Sequence, residues 1–257
     1  MDQIKGISQL LGSWLAVMLW TALCIIPVPA HADRDEDPRF ARARAKLLTA
    51  IKADVAATSR YIGFDRLNPA VMQAMGTVKR HRFVPDQYLR QAYENHPLPI
   101  GHGQTISQPY IVALMSNLLA LRPGDRVLEV GTGSGYQAAV LAEMGMAVFS
   151  IEIIRPLAEA ARQHLHDEGY DKVKVKIGDG YFGWREHAPF DAIIVTAAAD
   201  HIPPPLLEQM KNNARMVIPV GGPFAVQQLV LVTKDQHGTP STRQILPVRF
   251  VPLTRTP

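Results

Sequence analysis

Three acidic or glycine-rich stretches stand where apolar runs end, a combination suited to holding a nucleoside. The first is Val127-Leu128-Glu129-Val130-Gly131-Thr132-Gly133-Ser134-Gly135. Glycines at such a turn leave room for a cofactor across the strand ends and adopt backbone angles closed to other residues. The second is Glu152, which closes the run Val148-Phe149-Ser150-Ile151 twenty-one residues after Gly131. A carboxylate there can accept from both ribose hydroxyls, although taken alone it also fits a solvated strand-end acid. The third is Gly178-Asp179-Gly180. Here the acid can accept from an adenine amino group while Gly180 lets the backbone pass close to the ring; an ordinary Asp-Gly turn uses the same residues.

Spacing selects among cofactors. A dinucleotide fingerprint begun at Gly131 requires glycine at position 136, where Tyr136 stands, and the third glycine comes one residue early at Gly135. The form E-x-G-x-G-x-G, from Glu129 through Gly131 and Gly133 to Gly135, is that of enzymes using S-adenosyl-L-methionine (AdoMet), which has no pyrophosphate to seat on a helix N-terminus. Glu129, Gly131, Gly133, Gly135, Glu152, Asp179 and Gly180 are therefore expected to contact AdoMet. Past the run ending at Thr196 come Ala197, Ala198 and Ala199. Nitrogen-directed methyltransferases acting on adenine or glutamine usually carry an Asn/Asp-Pro-Pro-Tyr there, whose polar groups grip an amino group, so small apolar residues favour an oxygen acceptor. His81, His96 and His102 share one stretch without metal-ligand spacing, and no metal site is expected. Trp184 and Phe182 read as core or pocket wall, and Pro203-Pro204-Pro205 as a rigid helix start.

The elements that must position these residues follow from periodicity. Apolar spacing predicts helices over 38–57 and 69–78, then an irregular Pro-, Tyr- and His-rich segment over 82–102. From Pro109 the pattern is regular: helix 110–120, strand 126–130, helix 136–144, strand 147–152, helix 156–168, strands 172–177 and 192–196, helix 205–210 and strand 216–220. Strands alternating with helices imply crossovers and a buried parallel sheet. Segments 227–234 and 243–252, separated by turn-formers at 235–239, are expected to pair antiparallel and close the sheet edge. The fold class is thus α/β, a Rossmann-like doubly wound and mostly parallel sheet of the class I AdoMet-dependent methyltransferase type.

With those residues in place, the chain strongly resembles the protein-L-isoaspartate O-methyltransferases. The resemblance is carried by GQTISQP at 103–109, VLEVGTGSGYQAAVLA at 127–142, GDGYFGW at 178–184, DAIIVTAAA at 191–199 and VRFVPLT at 248–254. It runs over about 80–255, and GQTISQP is the part most specific to that family. The resemblance implies methyl transfer from AdoMet to the free α-carboxylate of an L-isoaspartyl residue in a damaged protein or peptide; the alternatives are an AdoMet-dependent O-methyltransferase of a small-molecule carboxylate and a secreted non-catalytic binding protein of the same fold. Ser107 inherits the active-site serine, with Gln104, Thr105 and Ile106 lining the cofactor and substrate channel, and Thr254 matches a contact near the cofactor. Read from the residues alone, Ser107 is also a candidate N-cap for the helix that Pro109 opens, whose backbone N–H groups could face an anion. One departure stands out: a Pro-Gly-Gly turn common in the family is replaced by Lys211-Asn212-Asn213-Ala214. Asn tolerates the left-handed conformation, so the turn is expected to survive with some loss of stability.

Composition narrows the surroundings. The 257 residues are 47% hydrophobic and 19% charged with a formal net charge of +4, which describes a packed globule and not a phosphate-tracking chain; no nucleic-acid partner is expected. Cys24, the single cysteine, excludes an intramolecular disulfide. It lies in Leu10–Ile26, an uncharged apolar run preceded by Lys5 and followed by Ala30-His31-Ala32, a small-x-small cleavage pattern. Residues 1–32 are expected to be a signal peptide, or else an uncleaved anchor, followed by a helical extension with the substrate and cofactor loop over 33–108 and the AdoMet-binding core over 109–257. A periplasmic or secreted monomer, free of the membrane after cleavage, is the corresponding expectation; a cytoplasmic location is the alternative the family suggests.

Overall fold

The computed structural model describes residues 37–222 and 225–255; the leader read at 1–32 lies outside the described residues. Helix α1 (Pro38–Ile62) starts where the Asp37 side chain accepts from the Arg39 amide and Pro38 presets the first turn. It buries Leu47, Ile51, Val55 and Ile62 along one stripe. The helix runs past the expected end near Ala57 because Gly63, at φ 87°, supplies a left-handed cap. Helix α2 (Pro69–Thr77) repeats the device with an Asn68 cap.

The segment expected to be irregular, 82–102, instead holds two 3-10 turns, Arg80–Phe83 and Asp86–Gln91, and β1 (Leu98–Gly101), which forms a hairpin with β2 (Gln104–Ile106) just beyond it. Its turn places Gly101, His102 and Gly103 all at positive φ. There follow α3 (Pro109–Leu118), β3 (Arg126–Val130), α4 (Tyr136–Glu143), β4 (Ala147–Glu152), α5 (Arg155–Asp167), β5 (Lys174–Ile177), β6 (Phe190–Val195), α6 (Pro204–Glu208), β7 (Met210–Val220), β8 (Gln227–Lys234) and β9 (Pro240–Val248). The seven-stranded sheet has the order β5-β4-β3-β6-β7-β8-β9. Its first five strands are parallel, and β8 is antiparallel to both β7 and β9.

Both faces of the sheet are covered, as a parallel sheet requires. Successive residues of β3 enter different clusters: Val127 packs with α1, α2 and α3, whereas Leu128 and Val130 pack with Phe149, Ile193 and Met216 on the other side. Helix α3 is buried almost all round, from Pro109 to Leu118. Four strands differ from expectation: β5 starts at Lys174 instead of 172, β6 covers Phe190–Val195 instead of 192–196, and β7 and β9 differ more. Strand β7 begins at Met210, because Asn213 takes φ 63° and absorbs a register shift against β6 without ending the pairing; the left-handed Asn that the sequence called for is there. Strand β9 stops at Val248 because Val248 already faces Gln227, the first residue of β8. The chain beyond it crosses to Ala198, where Pro252 forms an isolated bridge.

Candidate active site

Strand β3 lies between β4 and β6, so the chain leaves it to one side and returns on the other. A crevice opens at the carboxyl ends of the strands at such a switch point. Here it is an open cleft of about 730 Å³ whose wall includes Gln104, Thr105, Ile106, Ser107, Glu129, Gly131, Gly133, Glu152, Gly180 and Thr254. Ten of the twelve expected site residues are thereby brought together from the hairpin, three strand ends and the C-terminal segment.

The two acids in the wall are held differently. Glu152 is 6% exposed, and its carboxylate accepts from the Gly133 amide at 2.8 Å and the Ile154 amide at 2.9 Å. One lone pair on each oxygen remains for a ligand such as a ribose diol. Glu129 is fully buried; Oε2 accepts from the Ser150 hydroxyl at 2.5 Å, and Oε1 has no partner. Burial pushes its carboxyl up to about 8, against the Ser150 hydrogen bond and helped by the charge of Glu152. Among the described residues no Lys or Arg lines this cleft. An orphaned buried carboxyl oxygen beside a second acid, without a protein cation among the described residues, fits a positively charged ligand, whose approach would favour the ionised form; AdoMet carries an ammonium and a sulfonium.

The glycines act mainly through backbone shape. Gly131 and Gly133 line the cleft at φ 98° and 54°. A Cβ on Gly131 would lie 2.5 Å from Thr196 Oγ1, which itself donates to the Gly131 carbonyl at 2.5 Å. The space denied to a side chain is therefore filled by the end of β6. Gly135 lies outside the cleft wall; at φ 93° it caps α4 and packs against Leu165 and Ala161 of α5. Gly180 does line the cleft, and a Cβ there would strike Val130 at 2.4 Å. Asp179 is the second expected residue outside the wall. Its Oδ1 accepts from the Tyr181 amide at 2.9 Å and its Oδ2 lies 3.7 Å from Arg255 Nε.

Ser107 stands at a junction. It lines this cleft and also a neighbouring groove of about 1310 Å³, together with Thr105, Thr196 and Val251. Gln108 is the residue that caps α3, without a side-chain bond, so the capping alternative for Ser107 does not hold. Nor are the first helix amides available to an anion: Tyr110 N donates to Asn95 Oδ1 at 3.0 Å, and the Ile111 and Val112 amides donate to the Gln108 carbonyl. The Ser107 hydroxyl is what remains for an acceptor. Sequence reasoning missed Thr132, Ile153, Ile154 and Leu253, which also line the cleft. The apolar pair directly after Glu152 was the available signal. His81 is buried, stacked on Phe40 and hydrogen-bonded to the Tyr93 hydroxyl, whereas His96 pairs with Glu94 at the surface. Trp184 packs on the core, but Phe182 is 53% exposed and lines neither cleft.

A switch-point cleft with an E-x-G-x-G-x-G turn and an acid closing the next strand defines a class I AdoMet-dependent methyltransferase. The chain belongs to the protein-L-isoaspartate(D-aspartate) O-methyltransferase family, whose model matches residues 58–257. It is 62% identical over 219 residues to protein-L-isoaspartate O-methyltransferase 2 of Syntrophobacter fumaroxidans, covering 85% of this chain and 88% of that one. To protein-L-isoaspartate O-methyltransferase 2 of a Polaromonas species it is 62% identical over 208 residues, covering 81% and 99%. Among solved structures, a protein-L-isoaspartate O-methyltransferase aligns with TM-score 0.71 at 29% identity, over 81% of this chain and 65% of that chain. A Plasmodium falciparum member in complex with S-adenosyl-L-homocysteine aligns with TM-score 0.69 at 26% identity, over 83% and 99%.

Proposed function

We propose that this chain methylates the free carboxylate of L-isoaspartyl residues in polypeptides, using AdoMet. The observation that carries the reading is Ser107 at the meeting point of an acid-lined cleft and a wider, open groove. AdoMet, when bound, supplies an electrophilic methyl on a sulfonium. Glu152 and Glu129 are the residues suited to its hydroxyl and cationic groups, Gly131, Gly133 and Gly180 give the backbone its close approach, and Thr254 adds to the wall. Asp179 stands beside them next to Gly180, with its Oδ2 toward Arg255.

Chemistry at the acceptor is undemanding in protons. A carboxylate of ordinary pKa, about 3.5, is already ionised at neutral pH, so no general base is required. The residues must instead align a carboxylate oxygen with the methyl and keep water out. Alignment of this kind can lower a barrier by on the order of 7 to 11 kcal/mol. Ser107 Oγ–H donates to the carboxylate and fixes which oxygen advances. As opposite charges on donor and acceptor cancel during transfer, an apolar surround of Ile106, Val112 and Ala197 favours the reaction. The resulting ester carbon is then attacked by the following backbone nitrogen, methanol leaves, and the succinimide opens with water to aspartyl or isoaspartyl. Methyl transfer from labelled AdoMet to an isoaspartyl peptide, but not to its aspartyl twin, tests the reading.

Location is read from the sequence alone. We propose export with cleavage after Ala32, supported by Lys5, the run Leu10–Ile26 and Ala30-His31-Ala32. Among the described residues no helix is long and apolar enough to cross a membrane.

A further inference from the structure

The walls of the two clefts that meet at Ser107 contain one cation among the described residues, Arg249. It sits in the wider groove with Thr105, Gln108 and Thr196, and among the described residues no acid lines that groove. The backbone beside it is pinned on both sides. Val248 pairs with Gln227, whose buried side chain accepts from the Phe250 amide at 2.9 Å, and the Ala198 amide donates to the Val251 carbonyl at 2.8 Å. The cation is thus presented from a fixed segment, which lowers the ordering cost of using it in binding. Its side chain is exposed and has no hydrogen-bond or ion-pair partner among the described residues.

An unneutralised guanidinium in a groove wall is suited to an anion on the ligand, because it presents forked donors matched to a carboxylate. The reacting carboxylate is a poor candidate for that anion. Its charge disappears as the methyl arrives, so a strong cation on it would stabilise the ground state more than the transition state. A carboxylate that persists through the reaction suffers no such penalty. We propose that Arg249 determines substrate specificity by pairing with a second carboxylate of the polypeptide, an acidic side chain a few residues from the isoaspartyl. This rests on the isoaspartyl reading above. A groove lined by one cation and, among the described residues, no acid then favours damaged sites in acidic surroundings and disfavours lysine-flanked ones.

The test uses isoaspartyl peptides acetylated and amidated at their ends, identical except for Glu or Lys flanking the isoaspartyl on either side. A third pair compares a free with an amidated C-terminus, which separates a side-chain from a chain-end carboxylate. The reading is the Glu-to-Lys ratio of kcat/KM for the wild type and for Arg249→Gln. Within one preparation the folded fraction cancels from that ratio, so loss of stability cannot imitate the effect. The wild-type ratio is expected at roughly two- to fivefold in low salt, the size of an exposed ion pair, and to shrink at high salt. In Arg249→Gln it should approach one, and in Arg249→Glu it should invert. Equal wild-type rates, a ratio unchanged in Arg249→Gln, or a preference confined to the free C-terminus overturns the assignment. If no isoaspartyl peptide is labelled at all, the isoaspartyl reading falls and the assignment falls with it.

Discussion

Burial holds the Glu129 carboxyl protonated up to about pH 8, from an ordinary value of 4.5, and that shift has a sign that can be checked. Between those values the folded protein keeps a proton that the unfolded chain has lost. The contribution to stability is therefore full below about pH 4.5 and is lost as pH rises through 8. Without AdoMet, the melting temperature of the wild type should fall more between pH 5.5 and 8.5 than that of Glu129→Gln, which cannot ionise. An equal fall in both would contradict the buried acid. Ser107 gives a kinetic counterpart. Its hydroxyl has no helix-capping duty, so Ser107→Ala should leave AdoMet affinity nearly intact while lowering kcat/KM for the isoaspartyl peptide on the order of ten- to a hundredfold, as expected for a hydrogen bond to a charged group. An unchanged rate would remove Ser107 from the chemistry.

The turn between β3 and α4 and the hairpin of β1 and β2 show which parts of the site could be read from the chain. Glu129, Gly131, Gly133 and Glu152 were legible because strand periodicity fixed where the apolar runs end. What the sequence could not show is why the glycines are required: Gly131 yields to Thr196 and Gly135 to α5, contacts made sixty-five and twenty-six residues away along the chain. The hairpin was missed because two strands of four and three residues are too short to show alternation. Its Gly-His-Gly turn was the one local cue. These origins predict different costs. Gly131→Ala meets both a positive φ and a 2.5 Å contact, whereas Gly103→Ala meets a positive φ of 71° with nothing within 4 Å. Both should destabilise in urea unfolding, by about 1 to 3 kcal/mol for the backbone alone, with Gly131→Ala the larger. The reverse order would mean that Thr196 moves aside freely.

At the scale of the whole molecule, the strand ends of the seven-stranded sheet, the β1–β2 hairpin and the C-terminal segment bring ten residues spread from Gln104 to Thr254 into one wall, and the helices around the sheet bury both its faces. The C-terminal segment completes the wall by crossing from β9 to Ala198, a path no periodicity announces. Charge at this scale is mild, +4 over 257 residues, so attraction of carboxylates is left to local groups such as Arg249. The leader makes a separate prediction. N-terminal sequencing of the protein from its native host should begin at Asp33, and a chain beginning at Met1 would contradict cleavage. The most direct measurement for the molecule as an enzyme is transfer of labelled methyl from AdoMet to an isoaspartyl peptide and to its normal aspartyl twin. Labelling of the isoaspartyl peptide, released over time as methanol, with the twin unlabelled, is the expected result. Equal labelling of the two, or none, would contradict it.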